Sequence, residues 1–220
     1  KAGRPANVFA PKGARIVRQL LIDPKQSHNQ RELSQITGLD EGYTSRIVRR
    51  LEELHLIGRD DKGRLKPSNP DELLEAWLEA YDFSNHQIIK GHVAARSGEE
   101  LLKKMTRILS DEKVDYAATG LAGAWQYTHF TKFRMATLFL ADSPGKNLFS
   151  QLHFREDDRG ANTWLVVPND KGVFHGSSDQ AGIICVHPVQ IILDLKGHPE
   201  RAKEAASMVR QEKLKWRRDA

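Results

Sequence analysis

The sequence has 220 residues, of which 39% are hydrophobic and 29% charged, a composition typical of a globular protein with one large or two ordinary domains. No apolar run approaches the ~18 residues of a transmembrane helix, and the first residues lack the apolar stretch of a secretion signal. A single cysteine, Cys185, excludes an internal disulfide and a cysteine zinc site. We therefore expect a cytoplasmic protein without a membrane partner.

The net charge of +5 is unevenly distributed along the chain. Residues 1–67 contain 14 Lys and Arg against 8 Asp and Glu, whereas residues 68–220 contain 20 against 21. The whole positive excess therefore lies in the first third of the chain. Such asymmetry indicates a segment with an anionic partner, most often nucleic acid.

Helical periodicity predicts a first helix over residues 11–22 and a second over residues 30–37. Asn29 and Glu32 have the spacing of a capping box, in which each residue satisfies an amide of the other. Gly38 follows the second helix, where glycine is a typical stop signal. The two helices are therefore expected to be joined by a short turn.

A third helix is predicted after Asp40, which has the side chain of a helix cap. From Tyr43 to Arg50 its outer face is basic, and the next acidic residue is Glu52. A helix of this kind fits a DNA major groove about 12 Å wide, where arginine can bridge two acceptors on guanine or hold a phosphate. The side chains expected to face the core from the second and third helices are Leu33, Ile36, Ile47, Leu51 and Leu54.

Residues 56–59 and 64–66 predict a small β-hairpin around the turn at residues 60–63. A pair of helices followed by such a hairpin is the layout of a winged helix-turn-helix, which predicts binding to double-stranded DNA. Winged helices also dock proteins, and an interaction module without DNA binding is the alternative. A Gly-Arg-Pro sequence at residues 3–5 is a weaker candidate for an arm in the minor groove, against a disordered terminus.

Residues 30–66 resemble the winged helix-turn-helix of MarR-like transcription regulators, through Leu33, the turn at Gly38, the Thr-Ser-Arg sequence at residues 44–46 and the Leu-Glu-Glu-Leu sequence at residues 51–54. The resemblance implies that the third helix enters the major groove and that the hairpin contacts the backbone or the minor groove. The residues expected to contact DNA are Gln30, Arg31, Tyr43, Thr44, Ser45, Arg46, Arg49, Arg50, Lys62 and Arg64.

The remaining residues alternate short apolar runs with helical patterns, so we expect an α+β chain with a larger mixed α/β domain after the winged helix-turn-helix. The predicted boundaries are a DNA-binding domain over residues 1–68, a linker helix and connection over 69–96, and a C-terminal domain over 97–220. The sequence leaves the oligomeric state open, a homodimer included.

Residues 115–127 and 187–211 resemble the C-terminal domain of AbiEi-family antitoxins, which belong to type IV toxin–antitoxin systems. The resemblance rests on the Tyr-x-x-Thr-Gly segment that begins at Tyr116 and on the Pro-Val-Gln-x-x-x-Asp-Leu segment that begins at Pro188. It implies a repressor that regulates its own transcription and neutralises a cognate toxin, with no catalysis.

Enzymatic motifs are incomplete in the C-terminal part of the sequence. A nucleotidyltransferase needs a Gly-Ser followed by two acids that flank one residue. Gly176 and Ser177 are present, but Asp194 stands alone in its Leu-Asp-Leu sequence, so the second acid is missing. Cys185 has only His187 as a nearby base, and no histidine cluster has metal-ligand spacing. We therefore expect no catalytic residue, metal or cofactor, and a DNA-processing enzyme remains the alternative.

Asp194 itself allows two interpretations. On a predicted apolar helix it would be partly buried, where it would either contact a ligand or partner, or make a structural hydrogen bond or ion pair with Lys196 or Arg201.

Overall fold

The computed structural model describes residues 6–214 and Trp216, so the candidate DNA arm at residues 3–5 lies outside the described residues. The described part of the chain forms two compact units, residues 6–81 with Trp216 and residues 82–214. Helices and strands are interspersed in it, as the prediction of an α+β chain requires. The division into units differs from the predicted one, for reasons that each unit makes clear.

The first unit begins with three short helices whose ends follow local sequence signals. Asn29 accepts a hydrogen bond from the amide of Glu32, and Glu32 accepts one from the amide of Asn29, so the predicted capping box is present. Gly38 ends that helix with φ +66°. The elements are α1 (Ala14–Ile22), α2 (Gln30–Thr37), α3 (Glu41–Glu53), β1 (Ile57–Arg59), β2 (Leu65–Pro67) and α4 (Pro70–Ala80).

Two side chains predicted to face the core of the first unit are instead exposed. Ile36 is 43% exposed because the buried face of α2 is formed by Leu33, Ser34 and Thr37. Leu54 is 40% exposed because α3 ends at Glu53. The buried face of α3 consists of Thr44, Ile47, Val48 and Leu51.

The helix α4 belongs to the first unit, which corrects its prediction as a linker. Leu73, Leu74 and Trp77 are buried on it, and the guanidinium of Arg18 on α1 lies 5.1 Å from the ring centroid of Trp77. An aromatic ring with a cation over its face anchors α4 to α1. The first unit therefore extends to residue 81.

The second unit is built around a seven-stranded mixed sheet with the strand order β6-β3-β7-β5-β4-β9-β8. Strands β5 and β7 are parallel, as are β4 and β9, and the other neighbouring pairs are antiparallel. The elements are β3 (Gln87–His92), α5 (Gly98–Asp111), β4 (Tyr116–Thr119), α6 (Gly120–Thr128), β5 (Ala136–Leu140), α7 (Lys146–Leu152), β6 (Arg155–Glu156), β7 (Thr163–Val167), β8 (Ser178–Gln180), β9 (Ile183–Cys185), α8 (Pro188–Leu195) and α9 (Ala202–Lys213).

The strand β3 lies in residues 69–96, which the sequence predicted to be a linker helix and connection. It pairs with β7 from Gln87 to Gly91 and with β6 through Gly91 and His92, so it is an interior strand of the sheet. Its residues do not alternate between apolar and polar, and only its two neighbours identify it as a strand. The second unit accordingly begins before residue 97.

The helix α8 is buried along its whole length, from Pro188 to Leu195. It packs against α6, α9 and β4. A helix enclosed on all sides has no solvent face on which a polar residue can lie. Asp194 on this helix is therefore held inside the unit.

Candidate nucleic-acid interface

The outward face of α3 is set by its cap and its buried residues. The side chain of Asp40 accepts a hydrogen bond of 2.7 Å from the amide of Tyr43, which fixes the first turn. Ile47, Val48 and Leu51 are each at most 1% exposed. Because a helix turns by 3.6 residues, Arg46 and Arg49 lie on the opposite side, and both are exposed.

The arginines of α3 differ in their surroundings. The guanidinium of Arg46 lies 5.7 Å from the ring centroid of Tyr43, and Arg49 forms no ion pair with any residue that the structure describes. Arg50 pairs with Glu53 over 3.0 Å, which cancels its charge locally. Ser45 and Tyr43 are half-buried at the edge of this face. The charge available to a ligand on α3 is therefore that of Arg46 and Arg49.

Thr44 does not belong to the surface, which corrects its prediction as a DNA contact. Its side chain is fully buried on the inward face of α3, together with Ile47 and Val48. Positions three and four residues apart share a helix face, so Thr44 faces the same way as these apolar residues. Within the Thr-Ser-Arg sequence, Thr44 therefore belongs to the core, whereas Arg46 lies on the surface.

At the start of α2, Arg31 is exposed and Gln30 is half-buried. The amide of Glu32 is already satisfied by Asn29, so the amides of Gln30 and Arg31 are those that remain for a phosphate. The carboxylate of Glu32 lies at the same end. The pKa of Glu32 is lowered mainly by the hydrogen bond from the Asn29 amide and to a smaller extent by the hydrogen bond from Arg64. The carboxylate is therefore charged at neutral pH.

The hairpin leaves its lysines exposed and engages its arginines in ion pairs. Lys62 in the turn and Lys66 on β2 are exposed. Arg64 donates to the carbonyl of Ser27 over 2.8 Å and to Glu32 over 2.7 Å. This arrangement disfavours a contact between Arg64 and DNA, because its guanidinium already has partners within the unit.

His28 is a buried residue of this region that the sequence did not single out. It is 1% exposed, and its backbone exchanges two hydrogen bonds with Leu65 on β2. Burial lowers the pKa of its imidazole, with a smaller opposing effect of Glu32. A lone histidine in a polar segment carries no signal of burial, and only the bridge to β2 places it inside.

In the second unit, the residues of the two resemblance segments meet in a buried polar cluster. Thr119 donates to Asp194, which also accepts a hydrogen bond of 2.7 Å from Gln190. Thr137 on β5 contacts Nε2 of His198 over 3.2 Å. All five side chains are at most 8% exposed. Asp194 thus makes structural hydrogen bonds with Thr119 and Gln190, which agrees with one of the two interpretations that the sequence left open.

Residues weighed as catalytic candidates are buried or lie apart. Cys185 is fully buried, and burial raises the pKa of its thiol to about 12, so the thiol stays protonated. Among the described residues, no three His, Cys, Asp or Glu side chains lie close enough together to hold a metal ion.

Within the same part of the chain, no helix has the length and apolar character needed to cross a membrane.

The fold and these surfaces define a two-unit α+β protein, in which one unit presents a basic helix and the other encloses a polar cluster. Residues 64–215 match the family model described as transcriptional regulator, AbiEi antitoxin, type IV toxin–antitoxin system. The chain belongs to this family. The match begins within the hairpin, so α2 and α3 lie outside it. Comparisons with curated proteins and with solved structures gave no match.

Proposed function

We propose that the chain is a transcriptional repressor that binds specific double-stranded DNA through a winged helix-turn-helix formed by residues 14–67. In this proposal α3 enters the major groove and the β1–β2 hairpin is the wing. The observation that carries the proposal is the exposed pair of Arg46 and Arg49 on the outer face of α3. The net positive charge of residues 1–67 supports it, since contact with phosphates dominates affinity for DNA.

The DNA-contacting set in this proposal is the predicted one without Thr44 and Arg64. Arg46 and Arg49 contact bases or phosphates, with Tyr43, Ser45 and Arg50 at the edge of the contact. Lys62 carries the contact of the wing. Gln30 and Arg31 offer backbone amides to a phosphate at the start of α2.

Selection of bound sequences from a pool of random duplexes tests this proposal with the full chain. A recovered common motif supports it, and two half-sites one helical turn apart would indicate that two copies bind together. Recovery of no motif, with affinity that does not change with salt, would favour the interaction module. Cleavage of the duplexes that requires a divalent metal would favour the DNA-processing enzyme.

We further propose that the second unit counteracts a cognate toxin without catalysis. Membership of the antitoxin family supports this role, and the burial of Asp194 and Cys185 supports a non-catalytic one. The test is co-expression with the toxin gene adjacent to that of this chain. Arg46→Ala combined with Arg49→Ala should keep the rescue of growth while DNA binding is lost. Loss of both properties would mean that protection acts only through repression.

A further inference from the structure

Two arginines of the hairpin, Arg59 and Arg64, each pair with a carboxylate on a different helix. Arg59 forms a two-pronged contact with Glu52 on α3, through Nε–Oε1 at 2.8 Å and Nη2–Oε2 at 3.3 Å. Arg64 reaches Glu32 on α2 through Nη2–Oε2 at 2.7 Å. The planar guanidinium suits such paired contacts, since its donors have a fixed geometry. The hairpin is thus tied to both helices of the helix pair.

The contacts of Arg64 extend to the segment that leads into α2. Its Nε and Nη2 both donate to the carbonyl of Ser27, over 3.2 and 2.8 Å. The hydroxyl of Ser27 donates over 2.7 Å to Asp60, at the start of the hairpin turn. The backbones of His28 and Leu65 exchange hydrogen bonds of 2.9 and 2.7 Å. This segment and the hairpin therefore form one connected network.

The conformation of the turn depends on the same network. Asp60 Oδ1 accepts hydrogen bonds of 2.9 Å from the amides of Lys62 and Arg64. The hydrogen bond from Ser27, together with those from these amides, lowers the pKa of Asp60, so the carboxylate is charged when it holds the turn. Lys62 lies at the tip of this turn, and it forms no ion pair with any residue in the described part of the chain.

We propose that Arg59 and Arg64 are positioning residues that hold the wing against α3 and α2, and that Lys62 delivers the wing's contact with phosphate. This proposal rests on the DNA-binding function proposed above. An arginine already paired with a carboxylate would have to give up that pair before binding a phosphate. The exposed Lys62 has no such competing ion pair among the described residues. Because its turn is already held in one conformation, Lys62 also loses less conformational entropy when it binds a phosphate.

The substitution Arg64→Lys separates charge from geometry. It conserves the net charge of the unit, but an ammonium cannot reproduce the fork that spans the Ser27 carbonyl and Glu32. The side chains of Arg64 and Glu32 are 34% and 37% exposed, so the comparison is made at low salt, where the pair is least screened. Lys62→Gln is the phosphate-contact variant, and Lys66→Gln is the matched control on the neighbouring strand.

The first measurement is amide hydrogen exchange of His28 and Leu65 in the full-length protein without DNA. Arg64→Lys should accelerate their exchange by about tenfold, the factor expected from loss of one charge-assisted hydrogen bond. Lys62→Gln and Lys66→Gln should leave it unchanged. Unchanged exchange in Arg64→Lys would overturn the positioning role of Arg64, whether or not the protein binds DNA.

The second measurement is the salt dependence of affinity for a short random-sequence duplex. Lys62→Gln should reduce the slope of log affinity against log salt by about 0.9, the contribution of one phosphate contact. In the Arg64→Lys background the same substitution should reduce it less, because Lys62 is no longer held in place. Equal reductions in both backgrounds would overturn the coupling. If the unmodified chain binds no duplex, the proposed function fails, and amide exchange alone decides whether Arg64 holds the hairpin.

Discussion

The hydroxyl of Thr119 donates a hydrogen bond of 2.5 Å to the carboxylate of Asp194 across 75 residues of sequence, and neither side chain is exposed. This contact joins the end of β4 to the enclosed helix α8. Gln190, one turn earlier on α8, donates to the other carboxylate oxygen. The carboxylate therefore organises the polar interior of the second unit.

Asp194→Ala is expected to destabilise the second unit by about 3 kcal/mol, because the buried donors of Thr119 and Gln190 lose their acceptor. Chemical denaturation of the full chain measures the change. Asp158→Ala is the control, since Asp158 is an exposed aspartate and should change stability by no more than about 0.5 kcal/mol. Equal stability of the two variants would contradict the structural role of Asp194.

The stability of the second unit should fall with acid because of His198. Burial lowers the pKa of this imidazole to about 4, so the unfolded chain binds a proton more readily than the folded one. The stability that the neutral, buried imidazole contributes is fully present above pH 6.5 and is lost as the pH falls from there towards 4. The total loss of stability is about 3 kcal/mol. His198→Gln should remove this part of the pH dependence in denaturation at pH 7 and pH 5. His153→Gln, at an exposed histidine, should retain it.

Substitutions at two isoleucines, Ile47 on α3 and Ile36 on α2, test which side chains of the helix pair are buried. Ile47→Asp places an unpaired charge in the core, because Ile47 is 1% exposed, and should abolish cooperative unfolding of the first unit. Ile36→Asp, at a side chain that is 43% exposed, should leave a cooperative transition. Thermal melts followed by circular dichroism distinguish the two. A cooperative first-unit melt in Ile47→Asp would refute the burial of this face.

Arg46→Ala should weaken binding to a selected duplex by about 1–3 kcal/mol and relax the preference at one base pair, if Arg46 forms a bidentate contact with a base. Fluorescence anisotropy with matched and mismatched duplexes measures both effects. Arg107→Ala, at an exposed arginine of the second unit, is the control and should change neither. An equal loss on every sequence would assign Arg46 to a phosphate instead.

Cys185 should resist thiol reagents in the folded protein. Its side chain is fully buried and its pKa is raised to about 12, so almost no thiolate is present at pH 8. Titration with a chromogenic disulfide should detect one thiol after denaturation and none before. Rapid reaction of the native protein would reopen the question of a nucleophilic cysteine.

Local signals in the sequence determined much of the first unit. Asn29, Glu32, Gly38 and Asp40 act on backbone groups within a few residues, so their roles do not depend on distant parts of the chain. The bounds of α2 followed directly from such signals. The basic outer face of α3 could likewise be predicted from helical periodicity and the position of its apolar residues.

Tertiary structure decided which charged and polar residues remain available. Arg64 and Lys62 look equivalent in sequence, but only Arg64 lies beside Glu32 and the Ser27 carbonyl. The strand β3 is identified by its neighbours in the sheet and not by its own pattern. Periodicity and caps are properties of neighbouring residues, whereas ion pairs and strand pairing depend on segments that only folding brings together.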